Sequence, residues 1–84
     1  MTLAYLHEFL EEYEKLDRSV RAQLFRKLQE MHRTPIERFP HQALKGSQFK
    51  GLFKLRVGDW RLIYRMVGSE VLFITLGHRS EVYE

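Results

Sequence analysis

At 84 residues the chain supports one domain, spanning 1–84, and a thin core, since a chain of this size buries only about 60–65% of its unfolded surface. There is no cysteine, which excludes a disulfide framework and Cys-based zinc sites. The net charge is +3, no apolar run approaches the ~20 residues of a membrane span, and the first ten residues lack a charged-then-apolar leader, so a cytoplasmic protein is expected.

The charge is unevenly spread. Glu8, Glu11, Glu12, Glu14 and Asp17 make the first segment acidic. Between residues 45 and 65 stand Lys45, Lys50, Lys54, Arg56, Arg61 and Arg65 against one acid, Asp59. Such a local excess is either a solvated face or the footprint of a polyanion.

Taken in order, Leu6, Phe9, Leu10, Tyr13 and Leu16 fall at helical spacing and predict an amphipathic helix over 8–16. Leu3 and Tyr5 alternate as in a strand, so the first residues read both ways. Asp17 or Ser19 can cap a second helix, with Val20, Leu24, Leu28 and Met31 along one face. Thr34-Pro35 ends it, because the residue before proline is pushed out of the α region. The two helices form an αα-hairpin. Residues 35–51 are irregular. From residue 52 the pattern turns to strands, 53–57, 60–67 and 71–76, separated by Gly58-Asp59 and Gly68-Ser69. A three-stranded antiparallel meander is expected, followed by an extended piece over 80–83.

A two-residue turn at Gly58-Asp59 sets Val57 opposite Trp60, Arg56 opposite Arg61, Leu55 opposite Leu62 and Lys54 opposite Ile63. Alternation then gives one face Phe53, Leu55, Val57, Trp60, Leu62 and Tyr64, a surface for the helices to cover. The other face collects Lys54, Arg56, Arg61 and Arg65. Arg56 and Arg61 as cross-strand neighbours repel, and a phosphate between them would turn that cost into binding. Carried across Gly68-Ser69, the same register puts Leu72, Ile74 and Leu76 on the basic face beside Ile63. An apolar stripe there calls for a cover, either the chain's own C-terminal end or a partner protein, and the partner is the preferred expectation.

The runs LKG at 44–46, FKLRVGDWRLIYRM at 53–66 and LGHRSEVY at 76–83, with LDRSVRAQLFRKL at 16–28, resemble the RelE/ParE toxin superfamily in order and spacing. The resemblance implies an α+β fold: a short N-terminal strand near residues 2–6 and an αα-hairpin packed on a three- to four-stranded antiparallel sheet. It implies a toxin of a type II toxin–antitoxin system, of the RelE-like mRNA interferase branch. Such a protein is a ribosome-dependent, metal-independent endoribonuclease that cleaves messenger RNA in the decoding site and forms a hetero-oligomer with a cognate antitoxin. By position, Lys54, Arg56, Arg61, Arg79 and Tyr83 match the family's catalytic set. His78 lies where other branches use a histidine. Lys45, Lys50 and Arg65 are the expected further RNA contacts.

Those residue types suit the chemistry. Cleavage by the ribose 2′-oxygen needs a base, positive charge for the pentavalent phosphate, and help for the departing 5′-oxygen. Lysine and arginine supply the charge, arginine through a planar fork that holds two phosphate oxygens. Tyr83 is the candidate base, since nearby cations favour its phenolate. His78 or Arg79 would assist the leaving group, and the sequence does not choose between them. Simpler roles stand beside these: Tyr83 as a last core aromatic, His78 as a turn residue, Lys54 and Arg56 as solvent-facing strand residues. His7, His32, His41 and His78 show no metal-ligand spacing, and no cofactor fingerprint is present, so neither metal nor cofactor is expected. Two rival functions remain: a ParE-type gyrase inhibitor on the same fold, and a degenerate module that binds RNA or antitoxin without cleaving.

Overall fold

The computed structural model describes residues 1–82. The chain runs β1 (Thr2–Tyr5), α1 (His7–Glu14), α2 (Arg18–Arg33), β2 (Gln42–Ala43), β3 (Leu52–Val57), β4 (Trp60–Val67) and β5 (Glu70–His78), with 3₁₀ turns at Ile36–Arg38 and Ser47–Phe49. Two helices lie on one face of a five-stranded sheet ordered β1-β5-β4-β3-β2.

The β3–β4 hairpin has the register its turn predicts, with Val57 opposite Trp60, Arg56 opposite Arg61 and Lys54 opposite Ile63. Gly58, at φ 61°, supplies the positive φ that the first position of a two-residue turn requires. The covered face is also as expected. Leu55, Val57, Leu62 and Tyr64 pack against Phe9, Leu24, Leu28 and Met31 from the helices. Aromatic rings continue the core across the sheet: Phe9 to Phe73 at 5.3 Å, Phe73 to Tyr64 at 5.4 Å and Tyr64 to Phe53 at 5.5 Å between centroids. The second helix ends at Arg33, where Thr34 is extended ahead of Pro35.

The sheet differs from the expected three or four antiparallel strands in two ways. It has an extra strand, β2, whose two residues pair with Phe53 and Lys54; both are exposed, so no apolar alternation marked them. And β1 runs parallel to β5, Thr2 beside Glu70 through Tyr5 beside Phe73. No hairpin turn joins these two strands, so none dictates their direction.

Two local expectations are corrected. A register shift between Ile63 and Tyr64 pairs Ile63 with Thr75 but Tyr64 with Phe73, leaving Ile74 as the extra residue of a β-bulge. Past the bulge the faces exchange, so Leu76 lies opposite Leu62 and joins the core, only 4% exposed, instead of the basic face. Residues 79–82 form a turn and not an extended piece, with the Glu81 and Val82 amides both donating to the His78 carbonyl.

The irregular stretch 34–41 is held by His41. A carbonyl can only accept, so His41 Nε2–H donates to Ile36 O at 3.0 Å and Nδ1 accepts from the Tyr64 hydroxyl at 2.8 Å. Tyr64 has no exposed surface, and burial pushes its phenol up to about 12.

Candidate active site

Lys54, Arg56 and Arg61 stand on the sheet face turned away from the helices, at the end nearest the Gly58-Asp59 turn. Alternation along β3 and β4 puts them there, because their neighbours Leu55, Val57, Trp60 and Leu62 are committed to the core side. Arg56 is exposed, whereas Lys54 and Arg61 are 8% and 6% exposed. The Arg61 guanidinium folds onto the turn, Nη1 donating to Gly58 O at 2.9 Å and Trp60 O at 3.0 Å. Arg61 therefore holds the hairpin end as well as contributing charge to it. Burial of this cation was not apparent from alternation, which presents it as an open neighbour of Arg56.

The segment after β5 folds back to the same end. The Arg79 amide donates to Asp59 O at 2.7 Å, and its Nε lies 3.7 Å from Asp59 Oδ1 in a pair more than 60% exposed on both sides. Gly77 is the register partner of Arg61. A Cβ built on Gly77 would stand 2.8 Å from Val82 Cγ1, so Val82 packs closely over Gly77, one strand away from Arg61. Tyr83 lies outside the described residues.

His78 goes elsewhere. It pairs with Trp60, edge-on to the indole at 5.5 Å, and Trp60 faces away from Arg61. Its Nδ1 accepts the Ser80 amide at 3.3 Å and lies 2.9 Å from Ser80 Oγ, which leaves the proton of the neutral ring on Nε2. Lys45, Lys50 and Arg65 are also apart from the cluster. Arg65 lies opposite Leu52, four residues from Arg61 and thus roughly 13 Å along the strand, and the two lysines are exposed in the loop before β3. The basic segment read from the sequence is thus split into a turn-end group, Lys54, Arg56 and Arg61, and an outlying group.

Three cations that the sequence reading did not select do approach the cluster. Arg26 and Lys27 on α2, and Arg38 on the first 3₁₀ turn, line grooves that also include Lys54 or Arg56. For Arg26 and Lys27 the signal was a polar row at 23, 26, 27 and 30 beside the apolar row of α2, which reads as ordinary helix surface until β3 is set against it; Arg38, on the 3₁₀ turn, had none.

The apolar part of the basic face is partly covered by the chain itself. Ile63 and Leu44 are 6% and 8% exposed, and the loop carrying Leu44 and Phe49, with Leu52 at the start of β3, closes one side of a groove of about 610 Å³. Leu72 and Ile74 remain half-buried. Among the described residues, the β1 edge of β5 carries no strand beyond Phe73, and no cluster of side chains suited to a metal ion occurs.

A family model described as ParE toxin of type II toxin–antitoxin system, parDE, matches residues 3–83. The mRNA interferase toxin RelE of Escherichia coli K12 is 34% identical over 96% of this chain and 92% of its own. The crystal structure of isolated E. coli RelE superposes with a TM-score of 0.71 at 28% identity, covering 92% of this chain and 82% of that one. A chain of the intact E. coli RelBE toxin–antitoxin complex superposes with a TM-score of 0.65 at 30% identity, covering 92% of this chain and 94% of that one.

Proposed function

This chain belongs to the ParE toxin family of type II toxin–antitoxin systems as a RelE-like member, and from that premise we propose that it cleaves messenger RNA on the ribosome without a metal ion. The observation that carries the reading is the gathering of Lys54, Arg56 and Arg61 at the hairpin end to which residues 79–82 fold back. A scissile phosphate over that face meets three cations, and losing one such donor commonly costs on the order of 100-fold in rate.

Tyr83, next in the chain after Val82, is the proposed base for the 2′-hydroxyl, its phenolate favoured by the surrounding cations. Arg79 is the proposed helper of the leaving oxygen. Its amide is bonded to the turn that Arg61 clasps, whereas His78 faces Trp60 on the opposite side. Lys45, Lys50 and Arg65 are proposed as outer contacts with RNA.

The proposed partner is a cognate antitoxin, as in the RelBE complex that the chain resembles. Half-buried Leu72 and Ile74 beside the groove offer it an apolar seat, and its carboxylates would meet the basic cluster. No helix is long and apolar enough to cross a membrane. The proposed site of action is the cytoplasm, where ribosomes are.

The experiment is a translation reaction with added purified protein and mapping of message ends. Cuts within the codon in the decoding site are expected, and they disappear when the antitoxin is present. The match to the ParE model supports a second reading, a gyrase inhibitor. Intact message together with inhibited supercoiling would overturn the nuclease in its favour.

A further inference from the structure

Beside the cation cluster, two adjoining grooves run between α2 and the outer edge of β3, about 650 Å³ and 460 Å³ in volume, sharing Lys27, Glu30 and Arg56. Their charged lining consists of Arg26, Lys27, Arg38, Lys54 and Arg56 against one carboxylate, Glu30. Lys27 is 3.4 Å from Glu30 and stands 6.0 Å above the Phe39 ring, while none of the ion pairs among the described residues involves Arg26 or Arg38, both exposed. The outer edge is open where it matters: β2 pairs with Phe53 and Lys54 only, so among the described residues no strand lies on that edge beside Leu55 to Val57. Five cations from three separate elements converge on this trench, and it is continuous with the proposed cleavage site through Lys54 and Arg56.

We propose that the trench carries the sugar-phosphate backbone of the same RNA strand that is cut, on one side of the scissile phosphate. The strand passes from the Lys54–Arg56 face over the edge of β3 and along α2, where Arg26, Lys27 and Arg38 neutralise successive phosphates. This rests on the nuclease reading above and extends it from one phosphate to a track. An acidic protein segment is the weaker fit. A strand added to the β3 edge would be held by backbone hydrogen bonds and has no need of cations on both walls. Contacts of this kind are independent of base identity and sensitive to salt.

The test is binding of uncleavable 2′-O-methyl oligouridylate, as a 4-mer and a 12-mer, to the intact protein and to an Arg26→Ala/Arg38→Ala variant across a salt series. Both positions are exposed, so the fold tolerates the change. Each phosphate contact on a single strand contributes about 0.7 to the slope of log affinity against log salt, or roughly fivefold at 0.1 M, so the variant binds the 12-mer roughly twentyfold more weakly, with a slope lower by about 1.4. The 4-mer, long enough only for the Lys54–Arg56–Arg61 cluster, binds both proteins alike. Glu30→Gln removes the one opposing charge and tightens the 12-mer about two- to fivefold.

Equal isotherms for the 12-mer, or equal losses for both lengths, overturn the proposal. So does weaker 12-mer binding by Glu30→Gln. A loss confined to message-free small ribosomal subunits assigns the trench to ribosomal RNA and overturns it too. Competition by polyglutamate as effective as RNA at equal charge does the same in favour of an acidic protein. Message cleavage by the unaltered protein is scored in parallel, so failure of the nuclease reading appears there and failure of the track appears in the isotherms.

Discussion

Arg61 is one side chain with a structural role on view and a proposed chemical one beside it. Its Nη1 bonds to the Gly58 and Trp60 carbonyls close the hairpin end, and the residue is only 6% exposed. Arg61→Ala should therefore lower stability by about 1–3 kcal/mol, because two carbonyls lose a charged donor, and also lower message cleavage by on the order of 100-fold. Denaturant midpoints read beside cleavage rates separate the two effects; full activity in the variant would remove Arg61 from the chemistry. Tyr64 carries a different signature. Its phenol titrates near 12 in the folded chain against 10 in the unfolded one, so the folded state retains the proton longer. The associated stability is intact below pH 10 and is lost as pH rises toward 12, since the unfolded chain binds fewer protons across that window. Tyr64→Phe should flatten the fall of denaturant midpoint between pH 10 and 12. Tyr5, which burial and then Tyr13 also raise, contributes in the same direction.

Among the elements, β5 carries the sharpest divergence between sequence and structure. Leu72, Ile74 and Leu76 alternate without a break, and alternation alone sends all three to one face. The bulge at Ile74 is set by how β5 meets β4 and not by any residue whose type announces it, so Leu76 crossed to the core unseen. Leu76→Ala should cost about 2–5 kcal/mol, as a buried leucine does, and Leu72→Ala much less; equal costs in urea titrations would contradict the face exchange. The β3–β4 register was readable because a two-residue turn with glycine permits no other pairing. By contrast β1 was marked by the family resemblance more than by its four residues, and the α2–β3 trench joins residues too distant in sequence for periodicity to connect. Gly77 belongs to this scale as well. A methyl there has only 2.8 Å to Val82 Cγ1, so Gly77→Ala should push the terminal turn off the sheet. Cleavage is expected to fall at least tenfold, on the order of misplacing a catalytic group by about 1 Å, while the cooperative melt persists. A variant that cleaves normally would show that the seating of residues 79–82 is immaterial.

For the molecule as a whole, charge is segregated. The acids Glu8, Glu11, Glu12 and Glu14 ride on α1, whereas the cations gather on β3, β4 and the adjoining flank of α2. That polarity was legible in outline from the sequence, but its meaning depended on which cations share a surface: Lys54, Arg56 and Arg61 do, Arg65 lies further along, and His78 is turned away. A partner that binds only the folded toxin raises apparent stability by about 2.7 kcal/mol at a hundredfold excess over its Kd. Coexpression with the neighbouring antitoxin gene should therefore yield a complex that melts higher, and unchanged melting in a purified mixture would count against the proposed partner.

The parallel pairing of β1 with β5 joins residues 2–5 to residues 70–73. During synthesis the first strand leaves the ribosome long before its neighbour exists, and loop-closure entropy makes so distant a contact late in any folding sequence. The α-hairpin and the β3–β4 hairpin can form earlier, but the sheet cannot close until β5 has emerged. On the proposed reading, a half-made copy that lacks β5 has no finished sheet on which to gather its cations, and it is not expected to cut message.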